Sequence, residues 1–220
     1  MDQNTAPFQT ELQRIGEQLA LPLDAAQCAA LGNYLALLQR WNATYNLTAV
    51  RDPAQMLTQH LADCLTVIGP LQHHLAAHPG AKRLLDVGSG GGLPGIVIAV
   101  LCPGVDVTCV DTVGKKAAFI RQVAAELKLR NLHGEHARVE ALKLPAFDVV
   151  TSRAFASLPD FIQLTRERLA AGGHWMAMKG KHPEDELLGL PQDIDVFHVE
   201  QLTVPGLDAE RCLIWMKPRA

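Results

Sequence analysis

Residues 83–95, Arg83-Leu84-Leu85-Asp86-Val87-Gly88-Ser89-Gly90-Gly91-Gly92-Leu93-Pro94-Gly95, place five glycines within eight residues behind an apolar run that carries a carboxylate. An apolar run, a glycine turn and a following apolar segment (94–102) read as strand, turn and helix, in which the backbone comes close to a ligand. Outward from this turn the texture alternates. Strands are predicted at 82–87, 105–111, 132–137, 147–151 and 172–179, with helices at 94–102, 113–129, near 139–143 and 158–170. Such alternation gives a doubly wound, mostly parallel sheet with helices on both faces. The tail breaks the pattern: 193–206 and 210–218 are strand-like runs joined around Gly206-Leu207-Asp208, with no long helix between them. They read as a closing antiparallel hairpin.

The first 79 residues differ. Phe8, Leu12, Ile15 and Leu19 recur at helical spacing, Pro22 ends that helix, and Asp24 stands where the next needs a cap. Leu31, Leu35, Leu38 and Trp41 line one face of the second helix. Asp52-Pro53 starts a third, carrying Met56, Leu57, His60, Leu61, Cys64 and Leu65. With His78-Pro79-Gly80 as linker, the chain divides into a helical region, 1–79, and an α/β domain, 80–220.

Composition narrows the function. The chain of 220 residues is 48% hydrophobic and 20% charged, ordinary for a globular protein. No stretch approaches the ~18 apolar residues of a membrane span, and the polar N-terminus lacks a secretory pattern. Five scattered cysteines without a CxxC pair fit reduced thiols and a cytoplasmic setting. The net charge is −3, and residues 1–79 carry 6 acidic against 3 basic groups. General attraction to nucleic acid is therefore weak, which leaves a local basic face in residues 80–220 or recognition of a shaped surface as the routes to an RNA ligand.

Two ligand phases overlap in the glycine turn. Gly90 to Gly95 satisfies GxGxxG, the dinucleotide fingerprint, but that fingerprint normally begins directly behind its strand, and here Gly88-Ser89 intervene. The other phase, D-x-G-x-G-x-G on Asp86, Gly88, Gly90 and Gly92, is similar to the S-adenosylmethionine loop of class I methyltransferases, whose sheet also ends in an antiparallel hairpin. In that phase the glycines pass beneath the amino-acid tail of the cofactor, Asp86 serves its ammonium, and Pro94 takes the first position of the next helix. Asp111, ending the second strand, can accept ribose hydroxyls or cap the next helix, a role open to Thr112 as well. Glu140, after the third strand, can read an adenine edge or serve as a first-turn helix acid.

Seven segments in order carry a closer resemblance: 41–53 (WNATYNLTAVRDP), 59–65 (QHLADCL), 84–95 (LLDVGSGGGLPG), 114–127 (GKKAAFIRQVAAEL), 138–140 (RVE), 152–158 (SRAFASL) and 178–187 (MKGKHPEDEL). With them the chain resembles the bacterial RsmG (GidB) family of S-adenosylmethionine-dependent guanine-N7 methyltransferases of 16S ribosomal RNA. The resemblance implies the class I methyltransferase fold, seven-stranded, with an N-terminal helical cap. It implies cofactor contacts at Gly88, Leu93, Val139, Glu140 and Arg153, beside Gly90 and Asp111 from the loop and second strand. Arg138 and Lys179 would be basic residues near the methyl-transfer pocket. Guanine N7 has a free lone pair, so no general base is expected and Arg153, Arg138 and Lys179 would position and bind rather than exchange protons. Ordinary surface charge is the plainer reading of all three, particularly of Lys179, which has acids nearby in 178–186. The expected partner is small-subunit rRNA in a ribonucleoprotein particle, and no metal or membrane is expected. Competing readings are a methyltransferase for a small molecule or protein, a non-catalytic ribosome-assembly module and, further off, a dehydrogenase.

Other clusters are less specific. His74 and His78 have i, i+4 spacing beside His73, but a zinc site needs further ligands, so a solvated helix face is expected. His60 and Asp63, one turn apart, suit packing and hydrogen bonding between the helical cap and the sheet. Trp41, Tyr45 and Asn46 suit either RNA stacking or a core and turn.

Overall fold

The computed structural model describes residues 6–219. Helix α1 (Ala6–Gln18) buries Leu12 and Ile15, and the chain reverses before Pro22. Helix α2 (Ala25–Tyr45) opens with a reciprocal cap. Asp24 Oδ1 accepts the Gln27 N–H at 2.8 Å, and Gln27 Oε1 accepts the Asp24 N–H at 2.9 Å. It closes at Asn46 in the left-handed region, φ 49°. Asp52 caps α3 (Pro53–Met56) with Pro53 in the first turn. The helix expected from Asp52-Pro53 runs without interruption from Pro53 to Leu65, with a π-helical turn (Leu57–Ala62) between α3 and α4 (Asp63–Leu65). Widened turns of this kind often mark functional positions, and this one carries Gln59 and His60. Helix α5 (Ile68–Ala77) follows before the linker.

The remaining elements are β1 (Arg83–Val87), α6 (Gly95–Leu101), β2 (Asp106–Asp111), α7 (Gly114–Glu126), β3 (Leu132–His136), a 3-10 turn (Val139–Ala141), β4 (Phe147–Arg153), α8 (Leu158–Thr165), β5 (Leu169–Lys179), α9 (Glu184–Leu188), β6 (Ile194–Leu202) and β7 (Arg211–Pro218). They build one seven-stranded sheet in the order β3-β2-β1-β4-β5-β7-β6. The first five strands are parallel, and β7 pairs antiparallel with both β5 and β6. The hairpin expectation holds, and the last strand enters between β5 and β6 so that β6 forms the edge. Strand β5 starts at Leu169, earlier than expected, because α8 tightens after Thr165 into a 3-10 turn (Arg166–Arg168) that ends the helical run; Thr165 Oγ1 accepts the Trp175 indole N–H at 2.9 Å.

Successive residues of β1 point to opposite faces. Leu84 joins an apolar cluster with Leu12, Leu31, Leu61, Leu71, Val97, Ile120 and Trp215, while Leu85 and Val87 join Phe147, Phe161, Ile162 and Ile214 on the other face. The first cluster is shared by helices of the first 79 residues and by the sheet. On that side His74 is buried and stacks on Trp215, centroids 4.4 Å apart. Burial first, then the facing His174 and His78, push its pKa down to about 4. The solvated helix face expected for His73, His74 and His78 is thus wrong at its centre, because α5 turns His74 inward onto β7.

Candidate active site

In an open parallel sheet, ligands sit beyond the carboxyl ends of the strands, where the strand order reverses. Here that point lies between β1 and β4, and two hollows meet there, with Gly88 and Ala154 lining both. Their volumes, about 480 and 410 Å³, fall in the range of small-molecule sites.

The first hollow is bounded by Gly88, Gly90, Leu93, Arg153, Lys179, Arg211 and, from the helical region, Thr48, His60 and Asp63. Asp63 is 3% exposed and holds two cations on separate oxygens, Arg153 Nη1 at 2.9 Å and Arg211 Nε at 2.8 Å. Arg153 Nη1 also donates to the Gln59 carbonyl, 2.9 Å. Burial disfavours the Arg153 charge, but nearby Cys64 and Asp63 outweigh it and raise its pKa, so the guanidinium is a fixed cation. Lys179 Nζ donates to the Ala156 carbonyl and to Glu186 Oε2 of α9, both at 2.7 Å, so it is not a loose surface charge. His60 Nε2 lies 2.9 Å from Thr48 Oγ1, while its Nδ1 is buried without a partner. Burial, then Arg153, push His60 down to about 4, leaving it neutral.

The second hollow is bounded by Gly88, Asp111, Lys116, Arg138, Val139, Glu140 and Phe155. Asp111 Oδ2 accepts the Gly90 N–H at 3.0 Å and Oδ1 accepts the Val113 N–H at 2.9 Å, so one carboxylate ties the glycine loop to the start of α7. Thr112 makes no such cap; the N-cap of α7 is Val113, without a side-chain bond. Asp111 and Glu140 bring acceptors for hydroxyl and amino donors to this hollow, beside the cations Arg138 and Lys116, whose Nζ lies 3.6 Å from Asp111 Oδ2.

Gly88, Gly90, Leu93, Asp111, Arg138, Val139, Glu140, Arg153 and Lys179, expected at the site from sequence, border one hollow or the other, and Asp86 does not. Arg138 follows β3 and Lys179 ends β5, four strands apart in the sheet or roughly 19 Å, so they do not share a pocket. Asp86, expected at the ligand's ammonium, is fully buried behind the loop and borders neither hollow. Its Oδ2 accepts the Gly95 N–H at 2.8 Å. Pro94 caps α6 rather than occupying its first position.

The glycines serve different ends. A Cβ at Gly92, φ 86°, would lie 2.3 Å from Ile96 Cδ1, and one at Gly95 would lie 2.3 Å from Cys109 Sγ. A Cβ at Gly90, φ 58°, would meet nothing nearer than the Gly88 oxygen at 4.0 Å. Gly92 and Gly95 thus exist for packing, and Gly90 borders open space. Arg211, Thr48 and Gln59 escaped the sequence reading; His60 and Asp63 entered it for packing and hydrogen bonding between the helical cap and the sheet, and Asp63 does bond Arg153 of β4 and Arg211 of β7. No local pattern marks Arg211; it reaches the site because β7 inserts beside β5.

The family profile described as rRNA small subunit methyltransferase G matches residues 27–214. A ribosomal RNA small subunit methyltransferase G from Acidovorax sp. (strain JS42) is 60% identical over 220 residues, covering 97% of this chain and 96% of the relative. The protein of that name from Leptothrix cholodnii (strain ATCC 51168 / LMG 8142 / SP-6) is 62% identical over 204 residues, 93% of each. Among solved structures, N-methyltransferase NodS from Bradyrhizobium japonicum WM9, in complex with S-adenosyl-l-homocysteine, aligns with TM-score 0.58 at 15% identity, covering 85% of this chain and 98% of that one. TrmN from Thermus thermophilus aligns with TM-score 0.53 at 19% identity over 67% of this chain and 47% of that one. These structures share the class I methyltransferase fold, and by sequence the chain belongs to the rRNA small subunit methyltransferase G family.

Proposed function

We propose that this chain transfers a methyl group from S-adenosylmethionine to N7 of a guanine in small-subunit (16S) ribosomal RNA. The observation that carries the reading, beside family membership, is the pair of hollows meeting at Gly88 and Ala154: Asp111 and Glu140 border one, beside Lys116 and Arg138, and Arg153, Lys179 and Arg211 border the other, beside Asp63. The residues fit the cofactor. Asp111 would take its ribose, Val139 and Glu140 its adenine, and the backbone of Gly88, Gly90 and Leu93 its amino-acid end, opposite Arg153. When bound, the cofactor supplies a methyl group activated by sulfonium.

The chain's own residues then position the target. Guanine N7 brings its own lone pair, so no proton has to be removed, and neutral His60 is not needed as a base. Alignment of donor and acceptor can supply up to ~7–11 kcal/mol of the barrier. Arg153, Arg211 and Lys179 are held by Asp63 and Glu186 before any ligand arrives, and fixed cations of this kind suit O6 and phosphate oxygens. Arg138 would serve the cofactor hollow rather than the target base. Residues 1–79 act as a cap whose Thr48, His60 and Asp63 complete the target side, and residues 80–220 form the transferase domain. With a net charge of −3, recognition is expected to depend on a shaped ribonucleoprotein surface. The cytoplasm is the proposed setting, consistent with five free, buried cysteines.

The test uses tritiated S-adenosylmethionine with intact small subunits and with naked rRNA, both from a strain lacking the enzyme. Label in small-subunit rRNA that maps by 7-methylguanine-specific cleavage is expected. Absence of label from both substrates overturns the reading.

A further inference from the structure

On the far side of the molecule from the glycine loop, three histidines converge. His74 and His78 lie one helical turn apart at the end of α5, and His174 comes across from β5. One ring nitrogen from each can be chosen so that all three lie within 4.8 Å of one another. We propose that His74, His78 and His174 form a binding site for a borderline divalent transition-metal ion, of which Zn²⁺ is the type.

Three features of the cluster support a ligand set. His78 Nδ1 lies 2.9 Å from the His74 carbonyl oxygen. A carbonyl only accepts, so Nδ1 carries the proton and the lone pair is left on Nε2; a backbone carbonyl fixes the tautomer of metal-ligating histidines in the same way. His74 is 8% exposed, and its Nε2 is buried with no hydrogen-bond partner. A buried nitrogen in that state calls for a ligand. His74 and His78 also border a surface hollow of about 600 Å³, which gives an ion a route in.

The donor set selects the ion. Three imidazoles without a carboxylate or thiolate suit Zn²⁺, Ni²⁺, Co²⁺ or Cu²⁺ rather than Mg²⁺ or Ca²⁺. Tetrahedral Zn²⁺ with bonds of ~2.0–2.1 Å places its nitrogens ~3.3 Å apart. Closing to that spacing means turning the exposed His78 ring out of its stack on His74, centroids 4.3 Å apart, with water left in the fourth position. The ion would pin α5 to the sheet. His174 stands five residues before Lys179 on β5, roughly 16 Å along the strand, so the ion takes no part in methyl transfer.

The test uses full-length protein without a histidine tag, stripped by chelator and titrated with Zn²⁺ against a chromophoric competitor. One Zn²⁺ per chain is expected, with affinity at least about tenfold weaker in His78→Ala and in His174→Gln and unchanged in His73→Ala. Near-ultraviolet circular dichroism of the metal-free variants shows that each is folded, and Co²⁺ substitution reports coordination directly through its visible bands. Failure of the native chain to bind stoichiometrically overturns the proposal. So does binding by folded His78→Ala and His174→Gln as tight as the native chain's, or an equal loss in His73→Ala, which would assign the ion to surface imidazoles.

Discussion

Asp63 receives Arg153 from β4 and Arg211 from β7, and this pairing changes what removal of Arg153 should do. From sequence, Arg153→Ala is expected to abolish methyl transfer while the fold persists. In the structure the substitution also leaves buried Asp63 with one partner in place of two and removes the side-chain bond to the Gln59 carbonyl. We expect loss of single-turnover methyl transfer together with destabilisation of about 2–4 kcal/mol by denaturant titration. Full single-turnover activity would remove Arg153 from the mechanism. Asp86 makes a second prediction. Burial raises its carboxyl to about 7 from 3.8, against the opposing Gly95 hydrogen bond. Between those values the folded state holds a proton that the unfolded chain has released, so stability falls as pH rises from about 4 to about 7. Asp86→Asn should flatten that slope; denaturation midpoints for the two proteins with parallel pH dependence would refute the assignment.

At the level of elements, the glycine loop separates packing from ligand contact. Gly92→Ala combines a positive φ with a Cβ 2.3 Å from Ile96 Cδ1 and should cost about 1–3 kcal/mol of stability. Gly90→Ala carries only the strain of its φ, about 1 kcal/mol, yet places a methyl group in the space beside Gly88. Calorimetry should find cofactor affinity reduced far more by Gly90→Ala than its stability change accounts for. Equal, unperturbed affinity in both variants would move the cofactor off this loop. The helix after Asp52 shows the limit of sequence periodicity. Its cap and apolar face were legible, but the π-helical turn that places Gln59 and His60 at the site was not, because a widened turn has no signature in local residue choice.

For the whole molecule, the helical region and the sheet share one apolar cluster, so ligand binding at their junction should stabilise both together. S-adenosylmethionine at a hundred times its dissociation constant should add ~2.7 kcal/mol, seen as a single rise in the thermal midpoint, while NAD should give none. A rise with NAD instead would return the loop to its dinucleotide phase.

The sequence by itself determined the parallel sheet, its antiparallel ending, the helix starts at Asp24 and Asp52, and Gly88, Gly90, Asp111 and Glu140 at the hollows. These are local matters of periodicity, capping and strand ends, written in neighbouring residues, whereas Leu93, Val139, Arg153, Arg138 and Lys179 rested on the family resemblance. Only the tertiary structure decided that Asp86 braces the loop from behind, that Arg138 and Lys179 face different hollows, that Arg211 joins the site, and that His174 completes a cluster with His74 and His78. Each of these depends on strand order and on which face an element buries, and both follow from contacts between residues far apart in the chain.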